Sequence, residues 1–68
     1  MQIFINDDIK KINTESTTLI RVLEEEGLSA SEGIAIAINN KVIPKADWEK
    51  YLLKENDHLT IIKAVQGG

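Results

Sequence analysis

The chain has 68 residues, 43% hydrophobic and 28% charged, with a formal net charge of -3 and no cysteine. That length admits one small core, burying about 60% of the unfolded surface, and excludes a second domain, while the lack of cysteine excludes disulfides, thiolate nucleophiles and cysteine metal sites. The mild negative charge argues against nucleic acid as a partner, and with no apolar run near ~18 residues and no signal-peptide pattern, a cytoplasmic protein without membrane contact is expected.

Met1-Gln2-Ile3-Phe4-Ile5 alternates with period two, which places Met1, Ile3 and Ile5 on one face of a strand and Phe4 on the other. Asn6-Asp7-Asp8 supplies residues that tolerate left-handed backbone, so Ile9 to Asn13 is predicted to return as the second strand of a hairpin. Ser16-Thr17-Thr18 offers hydroxyl caps for a helix whose apolar stripe is Leu19, Ile20, Val22 and Leu23 and which runs to about Glu26. Gly27 is the expected left-handed terminator, bringing Leu28 back onto Leu23. Glu24-Glu25-Glu26 falls where the helix dipole disfavours negative charge, and reads as a solvated face, with docking to a basic partner as the alternative.

Ile34 to Ile38 and Lys41-Val42-Ile43, joined by Asn39-Asn40, predict a second hairpin that Pro44 ends. Lys45 to Leu53 reads as an irregular or helical connection, and Asn56-Asp57 as the turn into a last strand from His58 to about Lys63. That strand sends Leu59 and Ile61 to one face and Thr60 and Ile62 to the other. The order predicts an α+β fold, a mixed sheet of about five strands wrapped on one main helix, over residues 1–63 with a tail at 64–68.

The catalytic inventory is thin. His58 beside Asp57 reads as a solvated turn residue rather than a general base, Ser16, Ser29 and Ser31 have no matched base, and no metal loop or nucleotide-binding glycine pattern is present. The chain is therefore expected not to be an enzyme and to bind no cofactor itself. Attention falls on Ala64-Val65-Gln66-Gly67-Gly68: without side chains, Gly67 and Gly68 can thread a narrow channel and present an unhindered carboxylate. Extended, residues 64–68 reach about 17 Å, enough to enter a partner's pocket while the folded body stays docked outside.

Met1-Gln2-Ile3-Phe4 and Gly67-Gly68 resemble ubiquitin, while Ala37-Ile38-Asn39, Val42-Ile43-Pro44-Lys45 and Trp48, followed by a final strand and Gly-Gly, resemble the ThiS family, the sulfur carriers of thiamin thiazole biosynthesis. The resemblance covers essentially the whole chain and implies a ubiquitin-like β-grasp fold. It further implies that a ThiF-like adenylyltransferase uses ATP and Mg²⁺ to adenylate Gly68, that sulfur from a sulfur-donating enzyme displaces AMP to leave a thiocarboxylate, and that a ThiG-like thiazole synthase receives it. Asn56-Asp57 departs from the Gly-Asp common in related sequences, but Asn tolerates the left-handed turn.

With Met1, Ile3, Ile5, Leu59 and Ile61 facing the helix, Phe4 and Ile62 are left on the open side of the sheet, near Ala35 and Ala37. Phe4 and Ile62, with Ala64, Val65 and Gln66 on the way to the tail, are thus the candidate partner contacts. Trp48 reads as cover for one edge of the core, with an interface anchor as the alternative, and Lys45 as a possible polar contact for a partner. A molybdopterin synthase small subunit, a ubiquitin-like modifier and a passive binding module are the competing readings. The expected state is a monomer that forms transient heteromeric complexes.

Overall fold

The computed structural model describes residues 1–28 and 33–63. Strands β1 (Gln2–Ile5) and β2 (Asp8–Lys11) pair antiparallel with Phe4 opposite Ile9 and Ile5 opposite Asp8. Only Asn6 and Asp7 lie between them, at φ 48 and 71, the doubly left-handed turn whose twist matches a hairpin. Asp8, expected in the turn, is therefore the first residue of β2, and the paired strand ends at Lys11 instead of reaching Asn13.

Helix α1 (Leu19–Glu25) has 7 residues, too few to be stable alone, and its ends are closely accounted for. Its first donors are all satisfied: Leu19 N–H donates to the Tyr51 carbonyl at 2.9 Å, Ile20 N–H to the Trp48 carbonyl at 3.1 Å, Arg21 N–H to Thr18 Oγ1 at 3.4 Å and Val22 N–H to the Thr18 carbonyl at 3.3 Å. At the other end Gly27, at φ 74, donates to the Glu24 carbonyl and Leu28 to the Leu23 carbonyl, the paired bonds of the expected Schellman ending. The buried stripe is Leu19, Val22 and Leu23.

Strands β3 (Ile34–Ile38) and β4 (Lys41–Val42) form the second hairpin, with Asn39 and Asn40 at φ 52 and 68. The connection after Pro44 is a 3-10 turn over Lys45–Asp47 leading into Trp48, whose ring is 2% exposed and whose Nε1 donates to the Ile43 carbonyl at 2.9 Å. Trp48 is a core residue. The interface-anchor alternative fails because the ring and its one polar atom are already committed inside the fold.

Strand β5 (His58–Lys63) enters the middle of the sheet, giving the order β2-β1-β5-β3-β4. It runs parallel to β1 and antiparallel to β3, so the five-stranded sheet is mixed and the expected α+β architecture is present. One face packs on α1 through Ile3, Ile5, Ile36, Ile38 and Leu59. The edges are guarded by composition and length: β2 carries Asp8, Lys10 and Lys11, and β4 has 2 residues before Ile43 and Pro44.

Candidate functional site

Gly67 and Gly68, together with Ala64, Val65 and Gln66, lie outside the described residues, as do Ser29 and Ser31. What the structure defines is the strand that leads to them and the face beside it.

The open face of the sheet follows from register. Ile9 lies across from Phe4, Phe4 across from His58, Thr60 across from Ala37, Ile62 across from Ala35, and Ala37 across from Val42. Directly opposed residues project to the same side, so Phe4, Ile9, Ala35, Ala37, Val42 and Ile62 form an apolar band facing away from α1. Its exposure is high: Ile9 is 61%, Val42 70% and Ile62 54% accessible, whereas Phe4 is half-buried. Exposed apolar side chains gathered on one face make it the candidate surface for contact with a partner.

Phe4 and Ile62 share that face but do not sit side by side. Phe4 is level with the start of β5 and Ile62 near its end, with Thr60 between them on the same side. Ile9, Val42 and His58 complete the band and were not anticipated. The first two could have been found from the turns, because two-residue loops at Asn6-Asp7 and Asn39-Asn40 dictate that Phe4 meets Ile9 and Ala37 meets Val42. His58 is exposed, as expected of a turn residue, yet its ring stacks on Phe4 with centroids 4.4 Å apart and planes 15° from parallel.

At its beginning β5 is anchored by a side-chain network. Asp57, 6% exposed, accepts from Asn39 Nδ2 at 3.0 Å and from Lys54 N–H at 2.8 Å, and Asn39 Oδ1 accepts from His58 N–H at 3.0 Å. Both Asp57 oxygens are thus engaged, so the Asp57–His58 pair is built as a strand anchor and offers no acid–base couple. At its far end β5 stays paired with β3, Ile34 lying across from Lys63.

Lys45 holds its ammonium 5.9 Å from the centroid of the Trp48 ring, a cation–π placement at the edge of the core. A shallow groove between β2, the end of α1 and β5 has Ile5, Leu28 and Ile61 along it, and the Lys10–Glu26 ion pair of 3.1 Å bridges the same region. All three glutamates, Glu24, Glu25 and Glu26, are exposed, and among the described residues Glu26 alone of the three is paired, with Lys10 across the surface. Among the described residues no group of three or more His, Asp or Glu is arranged to hold a metal, and no helix is long and apolar enough to cross a membrane.

Comparison with known proteins gives a consistent picture. The sequence profile of the ThiS family matches residues 3–68. The chain is 26% identical to the sulfur carrier protein ThiS of Escherichia coli (strain K12), over 100% of both chains. The crystal structure of a thiamine biosynthesis protein (ThiS) from Geobacter metallireducens superposes with a TM-score of 0.86 over 100% of both chains at 17% identity. A solution structure of a thiamine biosynthesis protein from the same organism superposes with a TM-score of 0.79, covering 100% of this chain and 88% of that one at 17% identity.

Proposed function

The chain belongs to the ThiS family, and from that premise we propose that it is a protein sulfur carrier of thiazole formation whose reactive group is the carboxylate of Gly68. The observation that carries this reading is the family match, which runs through the Gly67-Gly68 pair, together with the end-to-end correspondence to the Escherichia coli sulfur carrier. The position of β5 supports it: the strand that leads to the glycines is central, paired with β1 at its start and with β3 along its length to Lys63.

The chemistry explains why a partner is needed. A carboxylate is a poor electrophile. A ThiF-like adenylyltransferase, with ATP and Mg²⁺, lets a Gly68 carboxylate oxygen attack the α-phosphorus and expel pyrophosphate. Sulfur released by the sulfur-donating enzyme at the hydrosulfide level then attacks the acyl carbon, AMP departs with the bonding pair, and a thiocarboxylate remains. A ThiG-like thiazole synthase takes the sulfur into its product, and an oxygen from its substrate or from water replaces it on the acyl carbon to regenerate the carboxylate. In this scheme the chain is a co-substrate and its partners are the enzymes. Gly67 and Gly68 give access, and the band of Phe4, Ile9, Val42 and Ile62 is the surface on which the activating enzyme docks, with Ala64, Val65 and Gln66 lying along the entrance to its pocket.

Intact mass spectrometry tests the proposal. After incubation with the activating enzyme, ATP, Mg²⁺ and a sulfur source, the protein is expected to gain the difference between one sulfur and one oxygen, and a variant lacking Gly68 is expected not to. No gain, with an activating enzyme shown to modify its own carrier, rejects the proposal and leaves the binding-module reading.

A further inference from the structure

β1 stops at Ile5 while β5 continues to Lys63, so the parallel ladder between them should leave the last part of β5 unsupported on that side. The hydrogen bonds show how this is avoided. Phe4 N–H donates to the Asp57 carbonyl at 2.9 Å and Asn6 N–H to the Leu59 carbonyl at 2.9 Å, the regular alternation of a parallel pair. The next rung would run from Ile61 N–H to the Asn6 carbonyl. Asn6, however, is in the left-handed region at φ 48, where the backbone turns away into the hairpin. Its side chain takes over: Asn6 Oδ1 accepts from Ile61 N–H at 2.9 Å.

We propose that Asn6 is a positioning residue for the acyl-transfer chemistry of Gly68, holding the end of β5, the base from which the reactive carboxylate is presented, in line with the sheet. This rests on the sulfur-carrier reading above. Two requirements meet in one residue. The turn needs a residue that tolerates positive φ, which Asn and Asp do, and the ladder needs a side-chain acceptor oxygen that reaches the Ile61 N–H. Asp7, the other left-handed residue of the same turn, has no hydrogen bond to β5 among the described residues. On the opposite side β3 holds Lys63 through Ile34, so without Asn6 the end of β5 would be held along one edge only and could swing about it. A reactive carboxylate at the end of a short chain spends less time in the activating enzyme's pocket when its base swings, which lowers turnover without altering the docking face.

Asn6→Gly is the decisive variant, because glycine accepts φ 48 and keeps the turn while removing the acceptor. With wild-type protein first shown to gain the sulfur-for-oxygen mass, pyrophosphate release by the activating enzyme is followed for both proteins. Asn6→Gly is expected to lower kcat about tenfold and leave KM within about twofold, and Asn6→Asp, which keeps an acceptor oxygen, is expected to recover most of the loss. In amide exchange, the Ile61 N–H should be protected in the wild type and in Asn6→Asp and exchange quickly in Asn6→Gly. Unchanged kcat in Asn6→Gly, an Asn6→Asp variant as slow as Asn6→Gly, or an Ile61 amide that exchanges equally in all three overturns the assignment. Unmodified wild-type protein would instead reject the sulfur-carrier reading itself.

Discussion

The imidazole of His58 lies nearly parallel on the ring of Phe4, 4.4 Å between centroids, at the only aromatic contact on the open face among the described residues. Two residues from adjacent strands thereby form one flat, partly apolar plate beside Ile9. A plate of this kind loses little side-chain freedom when a partner covers it, because its two members already restrain each other.

The docking role proposed for this band is tested at Ile62, its exposed member on β5. Ile62→Glu is expected to raise KM for the activating enzyme about tenfold, with stability changed by no more than about 0.5 kcal/mol, since the side chain is 54% accessible. Leu52→Glu serves as the control: Leu52 is 58% accessible but bridges Thr18 near the start of the helix, away from the band, and its KM should match the wild type. Equal KM for Ile62→Glu and the wild type would remove the band from the interface.

Trp48 predicts a different signature. Trp48→Ala should destabilise by about 3–5 kcal/mol, a large part of what so small a domain can hold, and urea titration should find it mostly unfolded at concentrations where the wild type is still native. Trp48→Phe keeps much of the ring but leaves the Ile43 carbonyl without its 2.9 Å donor, and is expected to lose about 1–3 kcal/mol. If Trp48→Phe is as stable as the wild type, the indole hydrogen bond is not a stabilising contact.

The network at the entry to β5 should behave as a unit. Asp57→Ala removes the acceptor of both Asn39 Nδ2 and Lys54 N–H and is expected to cost about 2 kcal/mol. In a double-mutant cycle with Asn39→Ala, the coupling should exceed about 0.5 kcal/mol; strict additivity in chemical denaturation would show that the two side chains act independently.

Left-handed positions carry the fourth prediction. Asn56 stands at φ 66, and its N–H donates to the Gln2 carbonyl at 2.7 Å. Asn56→Gly should be neutral or slightly stabilising, while Asn56→Ala should lose about 1–2 kcal/mol. Gly27 offers the matching case at the helix end, where an added Cβ meets nothing within 4 Å, so the loss in Gly27→Ala, about 1 kcal/mol, is purely one of backbone strain. A calorimetric Tm unchanged in both alanine variants would contradict the assigned backbone conformations.

These positions also show which parts of the fold were legible in the residues alone. Asn-Asp, Asn-Asn and Gly-Leu announce their turns because the conformations they adopt are local, and strand parity alone puts Phe4 and Ile62 on one side. The bonds from Ile61 to Asn6 and from Asn39 to Asp57 join residues 55 and 18 positions apart, and no local signal in a single sequence reveals a partner that topology supplies. The Phe4–His58 stack is of the same kind. It depends on a parallel pairing between the first and last strands, which periodicity permits but does not single out.

The order β2-β1-β5-β3-β4 has a consequence for synthesis. The two hairpins do not pair with each other; each pairs with β5, so the sheet has no middle until His58–Lys63 has left the ribosome. A chain broken off before His58 is thus two separate hairpins and a helix with little to pack on, and is open to proteolysis. The strand that completes the open face of the sheet is therefore the same one that leads to residues 64–68, so the face and the chain end that follows it are made together or not at all.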